Sequence, residues 1–120
     1  MPYVDGFLIP VPKNKVQVYR RIAAAAGKVW RKYGALEYRE CVGDDLKTGM
    51  GTPFTRAARA KPGETVVFSW IVYKSRAHRD RVNAKVMKDP GMAEMMNDPK
   101  SMPFDVKRMC FGGFKVIVDA

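Results

Sequence analysis

The chain has 120 residues, of which 47% are hydrophobic and 28% charged, enough for one domain (1–120) with a proper core and too apolar for a disordered segment. A formal net charge of +10 sets it apart from acidic proteins and makes attraction to polyanions a possibility to weigh. No stretch approaches the roughly 20 apolar residues of a membrane helix, and Met1-Pro2-Tyr3-Val4-Asp5 lacks a basic region followed by an apolar one, so the expected location is the cytoplasm.

In chain order, the apolar run Tyr3 to Val11 has no helical period and reads as a first strand, closed by Pro10 and Pro12 because neither ring can donate to a ladder. Val16, Tyr19, Ile22, Ala23, Ala26, Val29 or Trp30, and Tyr33 recur at spacings of three and four, which predicts a helix from about Asn14 to Tyr33 with Gly34 as its left-handed cap. Leu36 to Val42 alternates apolar and charged residues, as an edge strand does. The Gly-, Pro- and Thr-rich segment from Gly43 to Gly63 reads as an arm or lid, with an irregular strand over Thr55 to Lys61.

Thr65 to Tyr73 is apolar on both faces and predicts a central strand. Ser75 caps a second helix running to about Lys88, with Val82 and Val86 inward and Asp89-Pro90 as its breaker. Gly91 to Asn97 suggests one short helical turn, and Pro99 and Pro103 bracket a loop. Arg108 to Val118 predicts a last strand with a bulge at Gly112-Gly113. Strand–helix–strand thus occurs twice, the pattern of a ferredoxin-like βαββαβ α+β sandwich with strand order 4-1-3-2. In that order Cys41 and Cys110 fall on opposite edges, roughly 14 Å apart, too far for a disulfide, so two free and mostly buried thiols are expected. Two cysteines and one histidine cannot close a structural zinc site, and no metal or other cofactor is expected.

Two helices cover only one face of a four-stranded sheet, yet the central strands carry large apolar side chains on both. Leaving four of them wet costs of order 6–12 kcal/mol at about 1.5–3 kcal/mol each, against a domain stability of about 5–15 kcal/mol. A second copy packed sheet to sheet is the expected partner.

Several segments carry a family likeness: Tyr3-Val4-Asp5-Gly6-Phe7, Gly27-Lys28-Val29-Trp30, Gly34-Ala35-Leu36-Glu37-Tyr38, Val67-Phe68-Ser69-Trp70-Ile71-Val72-Tyr73, Asn83-Ala84-Lys85-Val86-Met87, Met102-Pro103-Phe104-Asp105 and Gly112-Gly113-Phe114. With these the chain resembles, over nearly its whole length, the YbaA-like family of bacterial proteins, a family of unknown function. The resemblance implies the dimeric α/β-barrel superfamily, in which two ferredoxin-like sheets face each other. That superfamily includes cofactor-free quinone-forming monooxygenases, lactone isomerases, haem-degrading enzymes and members without known activity, so it implies a fold and not a reaction.

Among candidate residues, Asp5 stands out as a carboxylate inside an apolar central strand. Burial would raise its pKa and suit it to a general base, whereas a rim position or an Asp-Gly bulge would make it purely structural. His78, the lone histidine, is the second catalytic candidate, as a proton shuttle or haem ligand, against the bland reading of a surface helix histidine. Tyr38, Ser69, Trp70 and Asn83 offer polar tips on apolar bodies, suited to orienting a substrate or to plain core packing. Asn83 lies mid-helix on the Val82–Val86 side, where its amide needs a partner.

Arg39, Arg56 and Arg59 are candidates for clamping an anion or are simply solvated charges. Met87, Met92, Met95, Met96 and Met102 read as flexible core filler rather than a copper site. Cys110-Phe111-Gly112-Gly113-Phe114 loosely echoes an RNA-binding strand, but on the wrong strand and on a face the dimer would consume, so nucleic acid is not the expected partner. The expected function is binding or transforming a small aromatic or anionic metabolite, without metal, in a pocket between sheet and helices, in the manner of cofactor-free oxygenases or isomerases. The alternative is a non-enzymatic interaction module or polyanion binder using the basic helix faces. The sequence leaves open whether the protein is an enzyme.

Overall fold

The computed structural model describes residues 1–97 and 102–120. Strand β1 spans Tyr3–Pro12 and leads through a 3-10 turn, Lys13–Lys15, into helix α1, Val16–Lys32. Strand β2, Glu37–Val42, is followed by the short helix α2, Phe54–Ala57, and by strand β3, Glu64–Tyr73. Helices α3, Arg76–Met87, and α4, Pro90–Met96, precede a 3-10 turn, Val106–Arg108, and strand β4, Cys110–Lys115. Among the described residues the strands form one antiparallel sheet in the order β2-β3-β1-β4, the ferredoxin-like arrangement. No helix among the described residues is long and apolar enough to cross a membrane.

The period-2 pattern of β1 and β3 sorts their side chains between two faces. Tyr3, Asp5, Phe7, Ile9 and Val11 of β1, with Val67, Ser69, Ile71 and Tyr73 of β3, turn toward the helices. One core cluster joins Ile9, Val11 and Val67 to Tyr19 and Ala23 of α1. The other joins Ile71 and Tyr73 to Val82 and Val86 of α3 and Met92 of α4. Helix α1 lies close over β2 because Gly27 has no side chain: a Cβ there would come within 2.8 Å of the Tyr38 ring. It ends at Gly34, whose φ of +113° only a glycine adopts without strain.

Several expectations are corrected. Pro10 does not close β1, which runs on to Pro12. Its pairing with β4 ends at Leu8, so beyond that residue β1 is bonded on one side and a missing N–H is tolerated. Thr55 to Lys61 forms no strand. Arg56 and Ala57 bond back to the Pro53 carbonyl in a helical turn, which this alanine-rich run favours.

Strand β4 stops at Lys115, opposite Tyr3, because β1 offers no further partner; the last bond runs from the Val116 N–H to the Pro2 carbonyl. Gly112 and Gly113 pair in regular register with Gly6 and Asp5, so neither a bulge at the glycines nor an Asp-Gly bulge exists. Glycine is required at 113 for another reason: a side chain there would collide with the Tyr3 ring and hydroxyl. Both thiols are free but exposed rather than buried, since each sits on an edge strand and faces away from the helices. Pro99 lies outside the described residues.

The other sheet face carries Val4, Leu8, Phe68, Trp70, Val72 and Phe114. The 43–63 segment folds over one end of it, with the Phe54 ring 6.1 Å from that of Phe68. The remainder is open: Phe68 is 46% exposed and Phe114 62%.

Candidate functional site

Between the helix side of the sheet and helices α1, α3 and α4 lies a cavity of about 350 Å³. That size falls within the range of small-molecule sites. Its walls are aromatic and sulfur-bearing. Phe7 and Phe111 stack at 5.5 Å, and Tyr19 meets Phe104 edge to face at 5.7 Å. Met87, Met92, Met95, Met96 and Met102 all line it. The methionine cluster is thus the wall of a cavity rather than mere filler. Thioether chains suit that place because they reshape around a guest at little cost.

Asp5 stands on the cavity wall and is 2% exposed. Strand alternation turns it toward α3, where Arg79, one turn inside the helix, donates from Nη1 to Asp5 Oδ1 at 2.9 Å. The same guanidinium donates from Nε to Asp80 at 2.8 Å and lies 5.0 Å over the Tyr3 ring. Burial pushes the Asp5 carboxyl upward, against the opposing pull of Arg79 and of hydrogen bonding from Asn83 and Tyr73. Burial opposes the charge on Arg79, but Asp5 and Asp80 outweigh it and its pKa rises.

Asn83 is the hub beside Asp5. Its Oδ1 accepts from Trp30 Nε1 at 3.0 Å and from the Tyr73 hydroxyl at 3.2 Å. This one amide therefore ties α1, α3 and β3 together around Asp5, which is the partner its mid-helix position demands. Burial, then the Asp5 charge, raises the Tyr73 pKa, so its hydroxyl stays a donor.

On the far wall, Glu40 of β2 accepts from the Tyr19 hydroxyl at 2.6 Å and from the Tyr38 hydroxyl at 2.9 Å. Burial, reinforced by Glu40, pushes both tyrosines well above the usual phenol range. Sequence reasoning passed over Glu40, Tyr19 and Arg79. The available signal for Glu40 was its place on the same strand face as Tyr38. Arg79 carried none, being one basic residue among many on its helix.

The four candidate substrate-binding residues all border the cavity, but not all with their side chains: Tyr38, Ser69 and Asn83 face it, and Ser69 is buried. Trp70 follows Ser69 on β3, so its indole stands on the opposite face, 5.6 Å from the Phe68 ring and 3.4 Å from Glu37 Oε1. His78 is outside the cavity lining. It sits at the start of α3, its Nδ1 accepting from the Lys74 N–H at 3.0 Å and its ring edge-on to Tyr73. Burial and the nearby Lys74, Arg81 and Lys85 lower its pKa. Arg39 turns to Glu37 at 3.9 Å on the open face, and Arg59 offers its carbonyl to Arg108. Among the described residues no group of three or more His, Cys, Asp and Glu side chains is placed to hold a metal ion.

Comparison with known proteins agrees with this architecture. The chain is 47% identical over 119 residues to the uncharacterized protein YbaA of Escherichia coli K12, covering 99% of each chain, and equally so to YbaA of Shigella flexneri. Among solved structures it is similar to a NIPSNAP domain protein from Burkholderia xenovorans, with a TM-score of 0.58 and 14% identity over 98% of this chain and 97% of that one. It is also similar to SnoaB, a cofactor-independent oxygenase from Streptomyces nogalater, at TM-score 0.54 and 14% identity over 98% and 95%. A dimeric ferredoxin-like protein from an uncultured marine organism matches at TM-score 0.54 and 12% identity, over the full length of both. At such low identities these structures speak to the fold alone. The family described as "Protein of unknown function (DUF1428)" matches residues 2–106, and with that coverage and the YbaA relatives the chain belongs to this family.

Proposed function

We propose that the protein is a cytoplasmic homodimer that binds, and transforms without a metal, a small aromatic molecule in the sheet–helix cavity of each subunit. The observation that carries this reading is a buried carboxylate, Asp5, on the wall of a cavity of about 350 Å³ lined by aromatic rings and methionines. An aromatic guest fits such a lining better than an anionic one. Asp5 and Glu40 both face the cavity, and among the described residues of the lining the one cation, Arg39, turns its guanidinium to the opposite face. With its pKa raised by burial, Asp5 takes a proton more readily than an exposed aspartate, which suits a general base acting on a ligand O–H or acidic C–H. Loss of that proton leaves an electron-rich ring, from which an isomerisation or an oxygenation without cofactor begins. SnoaB, of the same fold, is a cofactor-independent oxygenase, which supports the reading by analogy.

The dimer reading rests on the open apolar face and on the dimeric ferredoxin-like neighbour. The cytoplasmic reading rests on two exposed, unpaired thiols, at home in a reducing compartment.

A thermal-shift screen of flat aromatic and anionic metabolites tests the function. A saturable, salt-insensitive stabilisation by aromatic compounds supports it, and turnover of any hit should vanish in Asp5→Asn. Undiminished turnover in that variant removes Asp5 as the base. Binding only to polyanions, weakening steeply with salt, would instead favour the exposed basic residues of α1 as the working surface.

A further inference from the structure

We propose that Glu40 is a second polar anchor of the cavity, and that the ligand is a flat, uncharged molecule about two fused rings long with a hydrogen-bond donor at each end. This rests on reading the cavity as an aromatic site and specifies what that site selects. Glu40 belongs to an edge strand, where a carboxylate normally faces water. Here it turns inward and each of its oxygens accepts one phenol, from Tyr19 and from Tyr38. Both phenols hold their protons, so they fix the carboxylate as donors without neutralising it. A carboxylate has about four acceptor sites. Two are used, and the remainder are open to a guest in the cavity that Glu40 and both tyrosines line.

The sheet register sets the length. Asp5 and Tyr38 both lie opposite Ile71, on its two sides, and Glu40 lies two residues further along β2, opposite Ser69. Two strand spacings of about 4.8 Å and an axial offset of about 6.8 Å put the Asp5 and Glu40 Cα atoms about 12 Å apart. Strand side chains stand roughly perpendicular to the sheet, so the two carboxylates keep about that spacing, and hydrogen bonds of about 2.7 Å at each end leave roughly 6–7 Å between the guest's donors, the scale of two fused six-membered rings. Acceptors at both ends require donors on the guest, and two facing carboxylates repel an aromatic acid.

Calorimetric titration of the full chain with 2,6-dihydroxynaphthalene, 2-naphthol and 2,6-naphthalenedicarboxylate tests this. The diol should bind about tenfold or more tightly than 2-naphthol, and the dicarboxylate should bind most weakly. Glu40→Gln should weaken the diol far more than 2-naphthol and so erase the diol's advantage. Equal affinity for diol and 2-naphthol in the unaltered protein, tighter binding of the dicarboxylate, or an advantage that survives Glu40→Gln would overturn the proposal and leave the aromatic cavity standing. Failure of all three probes to bind would remove both. The comparison of the two naphthols decides the matter even if Glu40→Gln does not fold.

Discussion

The two faces of the sheet are built from the same strands, one residue apart, and they have opposite chemistries. The helix face buries a carboxylate, an amide and several phenols, each with a hydrogen-bond partner. The open face is mainly aliphatic and aromatic, with Glu37 and Arg39 only at its β2 edge, and Phe68 and Phe114 are 46% and 62% exposed. A polar group can be kept from water only where fixed partners replace it, so the face with helices above it can host chemistry. Beyond the Glu37 carboxylate at its β2 edge, the bare face has no such partners among the described residues. Its apolar surface is stabilised only by contact with another apolar surface. One pleat thereby separates a polar, cavity-bearing face from an apolar, open one.

The most forceful way to break this division is to charge the open face. Leu8 pairs with Phe68 and Cys110 at the middle of the sheet. In a sheet-to-sheet dimer, Leu8→Asp forfeits an apolar contact and buries a charge, together about 3–5 kcal/mol. Sedimentation should show the dimer weakened at least a hundredfold, whereas Lys28→Asp on the outer helix surface should leave the mass unchanged. A single-chain mass for the unaltered protein at micromolar concentration would sink the assembly half of the comparison.

A smaller effect probes the helix face. Asn83→Leu deprives Trp30 Nε1–H of its acceptor and leaves the Tyr73 hydroxyl with Asp5 alone. An orphaned donor costs about 1–3 kcal/mol. Urea denaturation should therefore report a loss of that order, with the dimer mass intact once folded. A neutral result would mean that the network around Asp5 is not tightly held.

The smallest and most diagnostic effects concern pH. Glu64, at the start of β3, is held at both oxygens by Arg108, at 2.8 Å each, and this lowers its pKa from 4.5 to about 2. Its contribution to stability is present above about pH 4.5 and is lost as pH falls toward 2. Asp5 has the opposite sign. Its folded pKa is raised above 3.8, so the favourable contribution of its carboxyl is present below that value and fades as pH rises through the folded pKa. Melting temperatures across pH should show Glu64→Gln flattening the acid limb, while Asp5→Asn gains on the unaltered protein as pH rises. The same trend in both variants would mean that the two carboxylates do not differ in environment as their burial requires.

Much of this was legible in the chain. Strand alternation and helical period, readable over Tyr3 to Tyr73, yielded the element order. The oddity of Asp5 was visible because a charge in an apolar strand has to be accounted for. The need of Asn83 for a partner was visible for the same reason. Glu40 was not, because a glutamate on an alternating edge strand looks like a solvated one until a tyrosine from α1 is seen above it. Trp70 borders the cavity, but its indole stands on the opposite face, because neighbouring strand residues point opposite ways.

Local patterning by itself determined the four sheet strands, the two long helices, their order and the two-faced character of the central strands, because those follow from which residue repeats at two and which at three to four. Only the tertiary structure decided that Arg79, 74 residues away along the chain, meets Asp5, that Glu40 is clamped by two phenols, and that the methionines line a cavity. Such pairings depend on how α1 and α3 settle on the sheet, and that is set by packing between elements distant in sequence, which no single segment encodes.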